Sequence, residues 1–161
     1  MPDSPPAETP RDPFSFAGRW LPVVAWTAFT FVGSTDAFSS AKTSRILGPL
    51  LRWLFPGLGE PAVDLGVLLI RKAAHVTEYA VLAGLLWRAL RRPVRQDPRP
   101  WAWRPAGLAL LACALWASAD EFHQSFTATR TASGWDVLLD TAGAALGLLL
   151  LWRLGAWRRW W

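Results

Sequence analysis

The chain has 161 residues, of which 52% are hydrophobic and 18% charged, with twelve tryptophans and a formal net charge of +5. This balance fits one domain in contact with lipid better than a water-soluble globule. The single cysteine, Cys113, lies in an apolar run, which excludes an intramolecular disulfide and a thiolate metal cluster.

The N-terminal "MPDSPPAETPRDPF" is proline-rich and acidic and lacks the basic start and small-residue cleavage pattern of a signal peptide. Residues 1–17 are expected to form a disordered cytoplasmic tail. The first apolar run, residues 20–38, predicts a helix with Pro22 near its start, where first-turn N–H groups lack partners anyway. Residues 39–72 follow as an outer segment. Their "RILGPLLRWLF" stretch carries Arg45 and Arg52 but is interrupted by Gly48, Pro49 and Pro56, which suggests an interfacial, partly helical piece. Residues 62–70 are apolar again. The second helix therefore starts early, projects beyond the membrane or follows a re-entrant turn. Further apolar runs at 73–90, 105–119 and 135–154 approach the roughly 20 residues that cross a hydrocarbon core, the third being short. The expected fold is all-α integral membrane: four transmembrane helices with an interfacial segment between the first and second, over residues 18–155. A basic, aromatic tail at 156–161 follows.

Charge placement fixes the expected orientation. Fifteen of the seventeen basic residues are arginine, and six of them crowd into residues 88–104. With alternating helices, eleven basic residues fall on the side holding both termini and six on the other. The positive-inside rule then places both termini in the cytoplasm of a multi-pass cell-membrane protein and removes nucleic acid as the reason for the charge. Tryptophans gather near both ends of the proposed spans, as an interfacial belt would; Trp26 alone sits well inside one.

This topology brings "RKAAHVTEY", "SADEFHQ" and "WDVLLD" to the same outward end. Arg71, His75, Glu78 and Tyr79 form one stripe by helical spacing; Asp120, His123 and Gln124 share a face, with Glu121 turned about 100° away. Asp136, Asp140, Gly143 and Gly147 also share a face, and the GxxxG spacing suits close helix approach, within the chain or between two copies of it. Ionisable residues at membrane depth cost at least ~2.5 kcal/mol each, so a cluster implies interior partners or a watery cavity.

The segments "RKAAHVTEYAVLAGLL" and "DEFHQSFTATRTASGWDVLLDTAGAALG" resemble the VanZ-like family of small membrane proteins. Its pattern is a Lys and His followed by Tyr in one helix, then Asp-Glu-x-x-Gln, an Arg, and an Asp ahead of a Gly-containing helix. The resemblance runs from about Arg71 to Gly147. It assigns the family positions to Lys72, His75, Tyr79, Asp120, Glu121, Gln124, Arg130 and Asp136. The family is named for a protein associated with resistance to the glycopeptide teicoplanin, so the resemblance implies an effect on glycopeptide susceptibility; it supplies no reaction.

These residues could act on a ligand. Asp120, Glu121 and His75 are the candidates for proton exchange. Arg71, Lys72 and Arg130 suit a phosphate, and Glu78, Tyr79, His123, Gln124, Asp136 and Asp140 complete the candidate binding set. Each also has a plainer reading. His75 is then an interfacial histidine with an ordinary hydrogen bond, Asp120 and Glu121 end a helix at the water boundary, Arg130 pairs with Asp136, and Tyr79 packs. Asp120, Glu121 and His123 offer oxygen and imidazole donors but no recognised metal spacing, so no metal or cofactor is expected. The leading expectation is an outward site that binds or modifies a cell-envelope amphiphile, such as a lipid-linked glycan or phospholipid headgroup. Membrane lipids are the expected partners, with a lipid-linked precursor, the glycopeptide itself or a second copy beside them. A non-catalytic scaffold that modulates antibiotic access is the alternative. A small proton-coupled transporter fits less well, because transporter sites lie near the midplane.

Overall fold

A computed structural model describes residues 15–34, 40–93, 99–126 and 133–158. The described chain is all-α, with five helices: α1 (Phe16–Ser34), α2 (Ser40–Leu54), α3 (Glu60–Arg91), α4 (Trp103–Gln124) and α5 (Gly134–Trp157). One of them, α5, is long and apolar enough to cross a membrane by length and composition, with a mean hydropathy of 1.6 in its best window. The other three apolar runs lie mainly within α1, α3 and α4.

Local chemistry explains the boundaries. Ser15 caps α1 through its hydroxyl, which accepts from the Gly18 N–H at 3.1 Å. Because α1 begins at Phe16, Pro22 lies beyond the first turn, contrary to the sequence expectation. Its missing N–H leaves the Gly18 carbonyl without an intrahelical donor, and the Arg88 guanidinium of α3 donates to that oxygen at 3.2 Å. A helix defect is thereby converted into a tie between α1 and α3.

The amphipathic α2 runs through Gly48 and Pro49 and stops at Leu54, before Pro56. It packs on α3, and among the described residues on no other helix. Arg52 forks onto Glu60 at 3.2 and 2.5 Å, and this exposed pair holds the Glu60 carboxyl below its usual range. Residues 62–70 belong to one continuous helix, α3, which starts at Glu60 with Pro61 in its first turn and so contains no re-entrant turn there. At 32 residues it is about 48 Å long. It ends at Arg92, whose backbone is left-handed (φ 53°) and whose N–H returns to the Arg88 carbonyl; Pro93 follows.

The axis of the fold is α3, which packs most extensively on α5, then on α4, α1 and α2. Contacts at both ends set the directions. Trp87 stacks on Trp101 at 4.6 Å, and Trp103 meets Trp152 at one end; Lys72 pairs with Asp136, and Phe31 meets His123, at the other. Hence α3 and α5 run parallel, with α1 and α4 antiparallel to them. Trp87 and Trp101, expected in an interfacial belt, are instead buried. Arg91 lies against the Trp87 ring and donates to the Pro100 and Arg99 carbonyls, tying the α3–α4 connection to the helix end.

The seam between α3 and α5 depends on two glycines. A Cβ at Gly143 would meet the Val76 backbone oxygen at 2.7 Å, and one at Gly147 would meet the Ala80 Cα and oxygen at 2.6 Å. The GxxxG face is therefore occupied by α3 of the same chain, and not open to a second copy. Inside the bundle lie small residues, Ala83, Ala109, Cys113, Ala117 and Ala144, with the polar Glu121, Gln124 and Asp140. Leu111, Leu115, Leu138, Leu149, Leu150 and Leu154 face outward.

Candidate functional site

The polar stretches of α3, α4 and α5 meet at one end of the bundle, where they divide into two groups. The first joins helices. Lys72, one residue off the Arg71 stripe and so about 100° around the helix, faces α5 and pairs with Asp136. One turn deeper, His75 Nδ1 lies 3.5 Å from Oδ1 of Asp140, which is only 3% exposed. This distance is at the outer limit of a hydrogen bond. Below it the seam passes directly into the Val76–Gly143 and Ala80–Gly147 contacts. On α4, Gln124 is buried and donates to Asp120 Oδ2 at 2.7 Å. Glu121 turns away from both and accepts the Ser133 backbone N–H at 2.8 Å, fastening the end of α4 to the start of α5.

The second group borders a cavity of about 470 Å³ between α1, α3 and α4, which the first residues of α2 reach through Thr43. Its polar lining consists of Arg71, His75, Glu78 and Tyr79 from α3, Asp120 from α4, Thr30 from α1 and Thr43 from α2. Phe29, Val32, Ala74 and Trp116 make the apolar part. His75 belongs to both groups: it contacts Asp140 in the seam while its ring borders the cavity. The spacing that places 71, 75 and 78 on one face of α3 is what aims all three at this space.

Several candidates stand elsewhere. Of the proposed proton-exchange set, His75 and Asp120 border the cavity and Glu121 does not, because its carboxylate is directed to Ser133. Glu78, partly buried, stands in its place. Lys72 and Asp136 contact each other and do not line the cavity. His123 is exposed and packs its ring 5.4 Å from Phe31. Arg130 lies outside the described residues, and so does any pairing of it with Asp136. Asp120, Glu121 and His123, the donors considered for a cation, point to three different neighbours.

The contribution of α1 is absent from the sequence reading. Phe29, Thr30 and Val32 carry no ionisable group, so nothing in their chemistry marks them as a wall. Trp26 does carry a signal, as the one tryptophan away from the span ends. Its indole N–H donates to the Glu78 carbonyl at 3.0 Å, pinning α1 beside the cavity.

A family model described as VanZ/LLP1 matches residues 16–156. The chain belongs to the VanZ/LLP1 family. Comparisons with curated proteins and with solved structures gave no match. The VanZ/LLP1 match spans all five helices, so both the cavity and the α3–α5 seam fall within the family's extent.

Proposed function

We propose that this VanZ/LLP1 protein is a multi-pass membrane protein in which α1, α3, α4 and α5 span the bilayer, α2 lies at the outer interface and both termini are cytoplasmic. Its outward cavity receives the polar headgroup of a cell-envelope amphiphile, a lipid-linked glycan or a phospholipid, and through that ligand the protein influences glycopeptide susceptibility. The observation that carries this reading is the cavity: ionisable groups at one end of a bundle, beside an apolar wall. A headgroup can lodge against His75, Glu78 and Asp120 while its tail lies along Phe29 and Val32, which line the cavity and are exposed at the bundle surface.

The membrane setting is supported by the distribution of residues. Alanines, Cys113 and the polar Glu121, Gln124 and Asp140 share the interior with a few large side chains, while many leucines lie on the surface, a pattern that suits lipid as the solvent. The length of α3 is compatible with it, since about 20 residues suffice to cross. Residues 71–91 then form the span, and 60–70 extend outward with α2. In the cavity, Arg71 suits an anionic group and Glu78 and Asp120 suit hydroxyl or amine donors. His75 is the group best placed to exchange a proton.

A scaffold role is the second reading, favoured by the contacts that Lys72, Asp136, Glu121 and Gln124 make within the chain. Purification in native lipid followed by mass spectrometry separates the two. Wild type should co-purify a selective amphiphile that Asp120→Asn and Glu78→Gln lose, while Thr77→Ala, on an exposed position of α3, retains it. The same lipid profile in all four proteins would refute the binding reading. Reporter fusions at residue 128 that remained cytoplasmic would refute the orientation.

A further inference from the structure

A second cavity lies at the opposite end of the bundle, away from every residue of the polar cluster. It occupies about 400 Å³ between α4 and α5. Its walls are almost wholly apolar: Trp101, Trp103 and Trp152 frame one end, and Ala106, Gly107 and Ala145 supply the space by being small. From Trp103 to Leu110 on α4, and from Trp152 to Ala145 on α5, the lining runs two helical turns, about 10 Å, into the bundle. The shape is a slot parallel to the helices, with its indoles at the arginine-rich end.

Charge stands beside that slot. Arg153 follows Trp152 in α5 and holds its guanidinium 5.2 Å from the Trp152 ring, while Arg104 follows Trp103 in α4. The two tryptophans are themselves in contact, with ring centroids 5.7 Å apart. Both arginines are exposed, Arg153 beside the Trp152 ring that frames the slot and Arg104 next in sequence to Trp103, which also lines it. Basic pockets between membrane helices on the cytoplasmic side suit anionic lipid headgroups, and the adjacent apolar space suits an acyl chain. A zwitterionic lipid would fill the slot and offer the same phosphate, but would bring its own headgroup cation up against the two arginines.

We propose that the α4–α5 slot is a binding site for an anionic phospholipid, with one acyl chain between Trp103 and Leu110 and the phosphate held by Arg104 and Arg153. It is separate from the outward cavity and does not depend on what that cavity binds.

The test uses the full chain reconstituted in vesicles of mixed phosphatidylglycerol and phosphatidylcholine, extracted in mild detergent, with retained lipid measured by native mass spectrometry. Wild type should retain phosphatidylglycerol over phosphatidylcholine. The double variant Arg104→Gln/Arg153→Gln should lower that preference about 30-fold, the effect of removing two cations at the headgroup level. Arg45→Gln, an exposed cation on α2, should leave it unchanged. Ala145→Leu, which fills the slot without altering charge, should lose retained lipid of both kinds, and its helical circular dichroism reports whether it has folded. Equal retention of the two lipids by wild type, or a loss in Arg45→Gln as large as in the double variant, would overturn the proposal. Full retention by a folded Ala145→Leu would place the lipid elsewhere and overturn it too.

Discussion

Substituting Gly147 by alanine tests the α3–α5 seam directly. In an uncrowded helix interior, glycine to alanine gains up to about 1 kcal/mol, because alanine has less backbone freedom to lose. At Gly147 the added Cβ would stand 2.6 Å from the Ala80 Cα and carbonyl oxygen, where ordinary contact begins at 3.4 Å. The obstacle is backbone, so no rotamer change relieves it, and the helices must part by about 0.8 Å. Overpacking of this kind costs about 1–3 kcal/mol, which more than offsets the propensity gain. Gly84 on the same α3 is the internal reference, since a Cβ there meets nothing within 4 Å. Reversible unfolding in mixed micelles, followed by tryptophan fluorescence, should therefore show Gly84→Ala equal to or above wild type and Gly147→Ala below it. A Gly147→Ala protein as stable as Gly84→Ala would refute the close approach of α3 and α5.

Two further outcomes follow from the ion pairs. In a double-mutant cycle, Lys72→Met and Asp136→Leu should each destabilise more than the pair together. Solvent reaches 39% and 31% of these side chains, which limits the coupling to about 1 kcal/mol; additive effects in the same unfolding assay would refute the contact. At the outer segment, the Arg52 contact depresses the Glu60 carboxyl. Its contribution to docking α2 is therefore present above the ordinary Glu range and lost as pH falls through the depressed value. Spin labels at Ser44 and Leu68 should give a narrow distance distribution at neutral pH that broadens well below roughly pH 4, and Glu60→Gln should be broad at both; a distribution indifferent to pH and to the substitution would refute it.

Apolar runs made α1, α4 and α5 legible, because in these stretches hydrophobicity and helix coincide. The start of α3 was not legible, since Arg71 and Lys72 mark a change of solvent in a hydropathy reading but no change of backbone. The helix passes through both charges and begins eleven residues earlier, at Glu60. Periodicity placed Arg71, His75 and Glu78 on one face, and the cavity lies there. It could not assign Glu121 to Ser133 or Lys72 to Asp136, because these pairs depend on how α3, α4 and α5 rotate against one another. Tertiary packing sets that rotation, through contacts such as those at Gly143 and Gly147.

In the proposed bilayer setting, the main seam also bears on assembly. A leucine surrounded by lipid tails gains little by moving against another leucine, so burial of apolar area does little to bring spans together. The α3–α5 interface holds what is left: two acid–base contacts and a stretch where backbones nearly touch. Because α5 follows α3 by some forty residues, Lys72 and His75 enter the bilayer before Asp136 and Asp140 exist to meet them. Arrival of α5 supplies Asp136 to Lys72 and Asp140 to His75, whereas Arg71 and Glu78 face the cavity bordered by α1 and α4. The same residues that shape the polar end thus also join the last helix to α3.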